Sequence, residues 1–199
     1  MKRRTCLRGA VALLPVSLAG CLGAFDGEAE AEPTATSTRR DGGDEGAERT
    51  GGTPEPTPED RERRRVLEFY NDGVGEANRG IEARESGTGA WNDGRYSRAE
   101  ARFETAEGRF QDARDSFRDA IDASYGIDDV EAREVCDTAS EYAIVMREAM
   151  QASQRMARAG AEGDVDRANR HLETVATLER EASRLNVRDP GTLQRILDL

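Results

Sequence analysis

The chain has almost no lysine and almost no histidine. Lysine and arginine together number 29, yet Lys2 is the only lysine, and His171 is the only histidine. A single imidazole argues against multi-histidine metal sites and histidine-based catalysis. The 40 acidic residues give a formal net charge of −11, the opposite of the basic footprint of nucleic-acid-binding proteins. We therefore expect neither a metal site nor a nucleic-acid partner.

The sequence also lacks the motifs of common catalytic chemistries. It contains no P-loop, no Gly-x-Ser-x-Gly, no Cys-x-x-Cys and no zinc-protease pattern. No apolar run reaches the roughly 18 residues that a membrane-spanning helix needs. These absences predict a protein that is not an enzyme, has no catalytic residues and needs no cofactor.

The first 21 residues have the layout of an export signal. Lys2, Arg3 and Arg4 form a basic start, and residues 9–20 form an apolar stretch that is too short to span a bilayer. Small residues then precede Cys21, whose thiol can carry a lipid. We predict a signal peptide over residues 1–21 and lipidation of Cys21, with two lipid chains because one chain anchors a protein only marginally. The competing interpretation is a buried apolar helix with an incidental cysteine.

Two short motifs resemble those of exported lipoproteins. Residues 17–23 (Ser-Leu-Ala-Gly-Cys-Leu-Gly) resemble the lipobox of prokaryotic lipoproteins. Residues 3–7 (Arg-Arg-Thr-Cys-Leu) resemble a twin-arginine export motif, with Cys6 where phenylalanine is common. With the near absence of lysine and the excess of acids, the chain resembles lipoproteins of halophilic archaea. The resemblance implies export through Arg3 and Arg4 and an anchor on the extracytoplasmic face of the cell membrane.

Residues 22–57 have the composition of a disordered acidic tether. They are rich in Thr, Pro and Gly and have almost no large apolar side chain after Phe25. Such a segment cannot bury enough apolar surface to offset its ordering entropy. A flexible coil of about 35 residues spans on the order of 30–35 Å. We therefore expect it to hold a folded domain, residues 58–199, away from the lipid.

The domain shows helical periodicity and no strand-like alternation. Thr57 before Pro58 is a typical N-cap for a first helix over about 58–85. A second helix over residues 94–124 carries an unbroken heptad seam of aromatic and alanine side chains. Asp128 is the expected N-cap of a third helix that ends at Gly160. Further helices after Asp164 and Asp189 complete a predicted all-α fold, an up-and-down bundle of four long antiparallel helices plus a short C-terminal helix.

The seams of the second and third helices predict how these two helices pack on each other. If the chain folds back about Gly126, every seam position of one helix meets a seam position of the other, and Phe110 lies opposite Tyr142.

The first helix leaves two interpretations open. Its glycines at 73, 80 and 87 share one face, and they either let the aromatic side chains of the second helix approach closely or mark a break near residues 71–73.

Cys136 is the one free thiol expected in the exported chain, since Cys6 would leave with the signal. It lies beside the third seam, where a small half-buried hydrophobe is the plain interpretation. The alternative is a redox-sensing or intermolecular thiol. Trp91, just before the second helix, is expected to cover one end of the bundle, or else to contact a partner.

These features predict a lipid-anchored extracytoplasmic helical module that mediates protein–protein interaction or scaffolding at the cell surface. Its expected partners are the membrane, through the lipid anchor, and a protein. The alternative is a ligand-sensing or solute-binding bundle with an internal pocket, which would need a cavity with convergent polar groups. Alanine-rich seams bring helices close together and therefore favour a filled interior.

Overall fold

The computed structural model describes residues 55–199, and all regular structure in this range is helical. The predicted signal with Arg3 and Arg4, the lipidation site Cys21 and the tether up to residue 54 lie outside the described residues. Consecutive long helices pack on each other, and the last, short helix lies against the first and third. The predicted all-α bundle class is confirmed. The helices are α1 (Pro58–Asn92), α2 (Tyr96–Ser124), α3 (Val130–Glu162), α4 (Val165–Ala182) and α5 (Pro190–Ile196).

Polar side chains cap the predicted helix starts. Before Pro58, the Asp60 amide donates to Thr57 Oγ1 at 3.1 Å and the Thr57 amide donates to the Asp60 carboxylate at 3.0 Å. This reciprocal capping box satisfies two amides that the helix leaves free. Asp164 and Asp189 cap α4 and α5 through backbone amides three residues on. These three N-caps are as the sequence predicts.

Both predicted ends of α3 are wrong. Its N-cap is Asp129, which accepts the Ala132 amide at 2.9 Å, while Asp128 lies in the turn with a φ of 50°. Aspartate tolerates this left-handed backbone, so the turn closes one residue later than predicted. At the other end α3 runs through Gly160 and ends at Gly163, whose φ is 76°. Glycine is favoured there because it has no Cβ to clash in a left-handed C-cap.

α1 is one unbroken helix whose glycines face the phenylalanines of α2. A Cβ on Gly73 or Gly87 would come closer to a ring carbon than Cβ atoms pack in proteins, and a Cβ on Gly80 would make a contact tighter than nearly all Cβ contacts. The rings occupy the space of the missing side chains, and the order of the pairs means that α1 and α2 run in opposite directions. Close approach is therefore confirmed, and the break near residues 71–73 is wrong. The pairs and their shortest distances are Gly73 with Phe117 (2.5 Å), Gly80 with Phe110 (3.0 Å) and Gly87 with Phe103 (2.6 Å).

The predicted pairing of Phe110 on α2 with Tyr142 on α3 is confirmed. The rings of Phe110 and Tyr142 meet edge to face with centroids 6.4 Å apart. The alanines of the α2 seam are fully buried, so the two backbones approach closely. Polar side chains cross the edge of the same interface in antiparallel order. These hydrogen bonds join Arg158 to Glu100 (2.5 Å), Gln151 to Glu107 (2.7 Å) and Arg147 to Gln111 (2.6 Å).

The side of the bundle between α1 and α4 is wider. No Cα atom of the described α1 lies within 8 Å of one in α4, and the gap is bridged by the side chains of Arg84 and Glu179. Val165 is 64% exposed. It is the first residue of α4, at the bundle end, and the buried side of α4 begins one turn later at Ala168.

The segment around α5 closes the end of the bundle where α1 begins. Leu193 and Leu197 are fully buried. Arg63 Nη1 donates to the Leu197 carbonyl at 3.1 Å, and the Tyr70 hydroxyl donates to the Arg188 carbonyl at 2.5 Å. The C-terminal segment is thereby joined to α1 by apolar burial and by two hydrogen bonds.

We expect Gly73→Ala to lower the free energy of unfolding by about 1–3 kcal/mol, because the new methyl group would overlap the Phe117 ring. Gly75→Ala on the same helix is the matched control. A Cβ there meets nothing within 4 Å, so it should gain about 0.5–1 kcal/mol from helix propensity. Urea unfolding of both variants measures the difference. If Gly73→Ala stabilised the domain as much as Gly75→Ala does, the close packing of α1 on α2 would be wrong.

Candidate functional site

Cys136 lies in the core of the domain. Its side chain is 0% exposed, and burial, with a smaller contribution from the Asp137 carboxylate, raises the pKa of its thiol to about 12. The thiolate is the species that attacks disulfides, so the folded domain presents almost none of it at neutral pH. This position favours the packing interpretation over a redox or intermolecular thiol.

An ion pair joins α1 to α4 on the wide side of the bundle. Arg84 of α1 donates from Nε to Glu179 of α4 at 2.7 Å, and the two side chains are only 18% and 13% exposed. The charges of both groups act on Tyr142 of α3. Burial raises the pKa of its hydroxyl, while Arg84 lowers it and Glu179 raises it. The two charges neutralise each other, so the arrangement can join α1 to α4.

Sequence reasoning did not find this set. Arg84 and Glu179 are 95 residues apart, and no local pattern distinguishes them from the many other charged residues of α1 and α4. Arg84 and Glu179 can pair because their side chains are long enough to bridge the distance between α1 and α4. A half-buried ion pair of this kind is costly to break, since loss of one partner leaves the other charge poorly solvated.

Trp91 covers the end of the bundle opposite Thr57. Its ring lies 4.9 Å from the ring of Tyr96, and both rings lie over Gly160, where a Cβ would be 2.7 Å from Trp91 Cζ3. The indole therefore packs on the bundle, which favours the cover over the partner contact. The same contact explains why a glycine stands at 160 inside a helix.

An open groove of about 430 Å³ lies at the other end, between the start of α1 and the turn from α2 to α3. Its position on the surface differs from the internal pocket that a solute-binding bundle would need. Three of its side chains are carboxylates. The groove is lined by Pro58, Glu59, Glu62, Gly126, Ile127 and Asp128.

Within residues 55–199, no three His, Cys, Asp or Glu side chains are grouped so that they could hold a metal ion. No helix in this range combines the length and hydrophobicity needed to cross a membrane. The predicted export residues Arg3 and Arg4 and the lipidation site Cys21 belong to the part of the chain that the structure does not describe. Comparison with protein-family models, curated proteins and solved structures gives no match.

Cys136 should react with a thiol reagent more than about a thousandfold slower in the folded domain than in denaturant, because labelling then requires opening of the core. The test uses a chain with Cys6→Ser and Cys21→Ser. Ser97→Cys, added to Cys136→Ala in the same chain, is the control, because residue 97 is exposed. Equal rates for the two thiols would contradict the burial of Cys136.

The buried thiol should also make the stability of the domain depend on pH. A thiol with a raised pKa stabilises the fold below the pKa of the unfolded thiol, near 9, and this contribution is lost as the pH rises toward 12.

Proposed function

We propose that the protein is a lipid-anchored extracytoplasmic module that presents a helical bundle to a protein partner, in an interaction or scaffolding role at the cell surface. The proposal joins two parts of the chain. The N-terminal pattern supports export through Arg3 and Arg4 and lipidation of Cys21. The packing of the domain supports a rigid body with a filled interior.

We propose for the domain an up-and-down arrangement of four long antiparallel helices, with α5 closing one end. The antiparallel pairs of α1 with α2 and of α2 with α3 support it, as does the link between Arg84 and Glu179 across the wide side. The 35 residues of α1 make a rod roughly 50 Å long. The tether would enter it at Thr57, so the Trp91 end would point away from the lipid.

The packing of phenylalanine rings into glycine positions is the observation that carries the proposal. Between α1 and α2, the rings take up the space that side chains on the glycines would fill. Between α2 and α3, fully buried alanines bring the backbones together. A bundle built in this way favours the interaction module over the ligand-sensing or solute-binding alternative, because its interior is occupied by its own side chains.

The polar groups inside the bundle support a role without catalysis. Arg84 and Glu179 pair with each other, the Tyr70 hydroxyl donates to a backbone carbonyl, and the Cys136 thiol is buried with a raised pKa. A nucleophile in an enzyme needs a neighbouring base and access to substrate. The described side chains that could act as nucleophiles in the core are instead engaged in packing or hydrogen bonds.

Cys21→Ser should move the protein from the membrane fraction to the soluble fraction without unfolding the domain, because the variant has no thiol for lipid attachment. Cys6→Ser is the matched control and should stay in the membrane, since it removes a cysteine from the same segment without touching the attachment site. Detergent-free fractionation and circular dichroism measure location and folding.

The same fractions test the interaction. Wild-type protein solubilised in mild detergent should elute as a complex larger than a single detergent-bound copy. Recovery of Cys21→Ser in the membrane pellet would contradict the anchor. Elution of the solubilised wild type at the size of a single detergent-bound copy would contradict a stable partner.

A further inference from the structure

The C-terminal arm of the domain, residues 165–199, begins with a helix that buries very little. Of the 18 residues of α4, only two alanines and one valine are buried, whereas 16 of the 33 residues of α3 are buried. Segments with few buried apolar side chains open at a lower free energy than the rest of a fold. We therefore expect α4 to separate from the domain more easily than α3.

α4 also packs on one helix only. Its Cα atoms come within 8 Å of those of α3, but no described Cα atom of α1 or α2 comes that close to α4. α2, by contrast, packs on both α1 and α3. The arm starts after the left-handed Gly163, and glycine allows large changes of backbone angle because it has no side chain. The helices α1, α2 and α3 would thus keep their mutual interfaces if the arm moved about Gly163.

A row of three donors on α1 holds the far end of the arm. The donors stand at positions 63, 70 and 84, which are multiples of seven apart and therefore share one face of the helix. Two of them bind backbone carbonyls, and the third binds a carboxylate. All three acceptors lie in the half of the arm farthest from Gly163. The hydrogen bonds run from Arg63 Nη1 to the Leu197 carbonyl (3.1 Å), from the Tyr70 hydroxyl to the Arg188 carbonyl (2.5 Å) and from Arg84 Nε to Glu179 (2.7 Å).

These links can separate without leaving a buried charge. When the arm moves away from α1, Arg84 and Glu179 both regain water, so opening costs less than removal of one partner from the closed pair. What keeps the arm closed is chiefly the apolar surface of Leu193 and Leu197, which are both 0% exposed. The seven residues of α5 are too few for a stable helix in water, so α5 depends on this contact.

We propose that the C-terminal arm is a lid, which opens about Gly163 while α1, α2 and α3 stay packed, and that the three donors on α1 hold it closed. Opening uncovers Leu193, Leu197 and the part of α1 on which α5 lies. The lid adds a moving part to a domain whose other long helices are closely packed. It is independent of the lipid anchor and of the protein partner proposed above.

Thiol labelling at two buried alanines measures the opening. Ala182→Cys reports on the arm and Ala113→Cys reports on α2, and the two alanines are 1% and 0% exposed. Each is introduced into the full chain with Cys6→Ser, Cys21→Ser and Cys136→Ala. Where closing is faster than labelling, the rate follows the population of the open form. We expect residue 182 to be labelled at least about tenfold faster than residue 113.

Arg84→Gln tests the row of donors. It should raise the labelling rate at residue 182 by about tenfold or more, because a hydrogen bond between charged groups is lost, and it should raise the rate at residue 113 much less. Arg158→Gln is the matched control, since it removes the bond to Glu100 between α3 and α2. It should leave the ratio of the two labelling rates unchanged.

Equal labelling at residues 182 and 113 would overturn the proposal, because the arm would then open only when the whole domain unfolds. An equal rise at both residues in Arg84→Gln would overturn the role of the donors. Amide hydrogen exchange of the unsubstituted chain gives the same comparison without any cysteine variant. The amides of α4 and α5 should exchange faster than those of α2, and exchange at one common rate would contradict the lid.

Discussion

The distance between α1 and α2 is set by phenylalanine rings that lie on the backbone of glycines. Because three such contacts recur at seven-residue spacing, they fix one register over most of the length of both helices. The same rings also take part in neighbouring contacts. Phe117 packs on Tyr70 with centroids 5.3 Å apart, and Phe110 meets Tyr142 of α3. The position of α2 therefore determines where α3 can lie.

The helices of the bundle are not evenly spaced. Small residues bring α2 close to both of its neighbours, whereas α1 and α4 stay apart and are joined through Arg84 and Glu179. The ion pair therefore lies where α1 and α4 are too far apart for small side chains to meet.

Periodicity in the sequence was enough to predict the contact of α2 with α3 at Phe110 and Tyr142, because both seams repeat without interruption. It predicted α1 only up to about residue 85, whereas the helix continues to Asn92. It also provided the close approach of α1 as one of two interpretations of its glycines. It failed at the ends of α3, where Asp128 and Asp129 offer equivalent carboxylates and where Gly160 and Gly163 both look like a stop. In the structure the left-handed backbone of Gly163 ends the helix, and Trp91 packs over Gly160 inside it.

The candidate sites were less predictable, because they depend on contacts between distant helices. The ion pair of Arg84 with Glu179 has no signal in local sequence. A position at the edge of the seam is compatible with either an exposed or a buried thiol, so the sequence left both interpretations of Cys136 open.

A double-mutant cycle between Gly87→Ala and Phe103→Leu tests most directly whether ring-on-glycine packing holds the bundle together. The quantity measured is the free energy of unfolding of the wild type, both single variants and the double variant. Since a Cβ on Gly87 would lie 2.6 Å from the Phe103 ring, the smaller leucine should relieve the overlap. The double variant is then less destabilised than the sum of the two single effects, by about 0.5–3 kcal/mol. Gly89→Ala with Phe103→Leu is the control cycle, because a Cβ on Gly89 meets nothing within 4 Å, and it should be additive. Additivity in the Gly87 cycle as well would contradict the packing on which the fold depends.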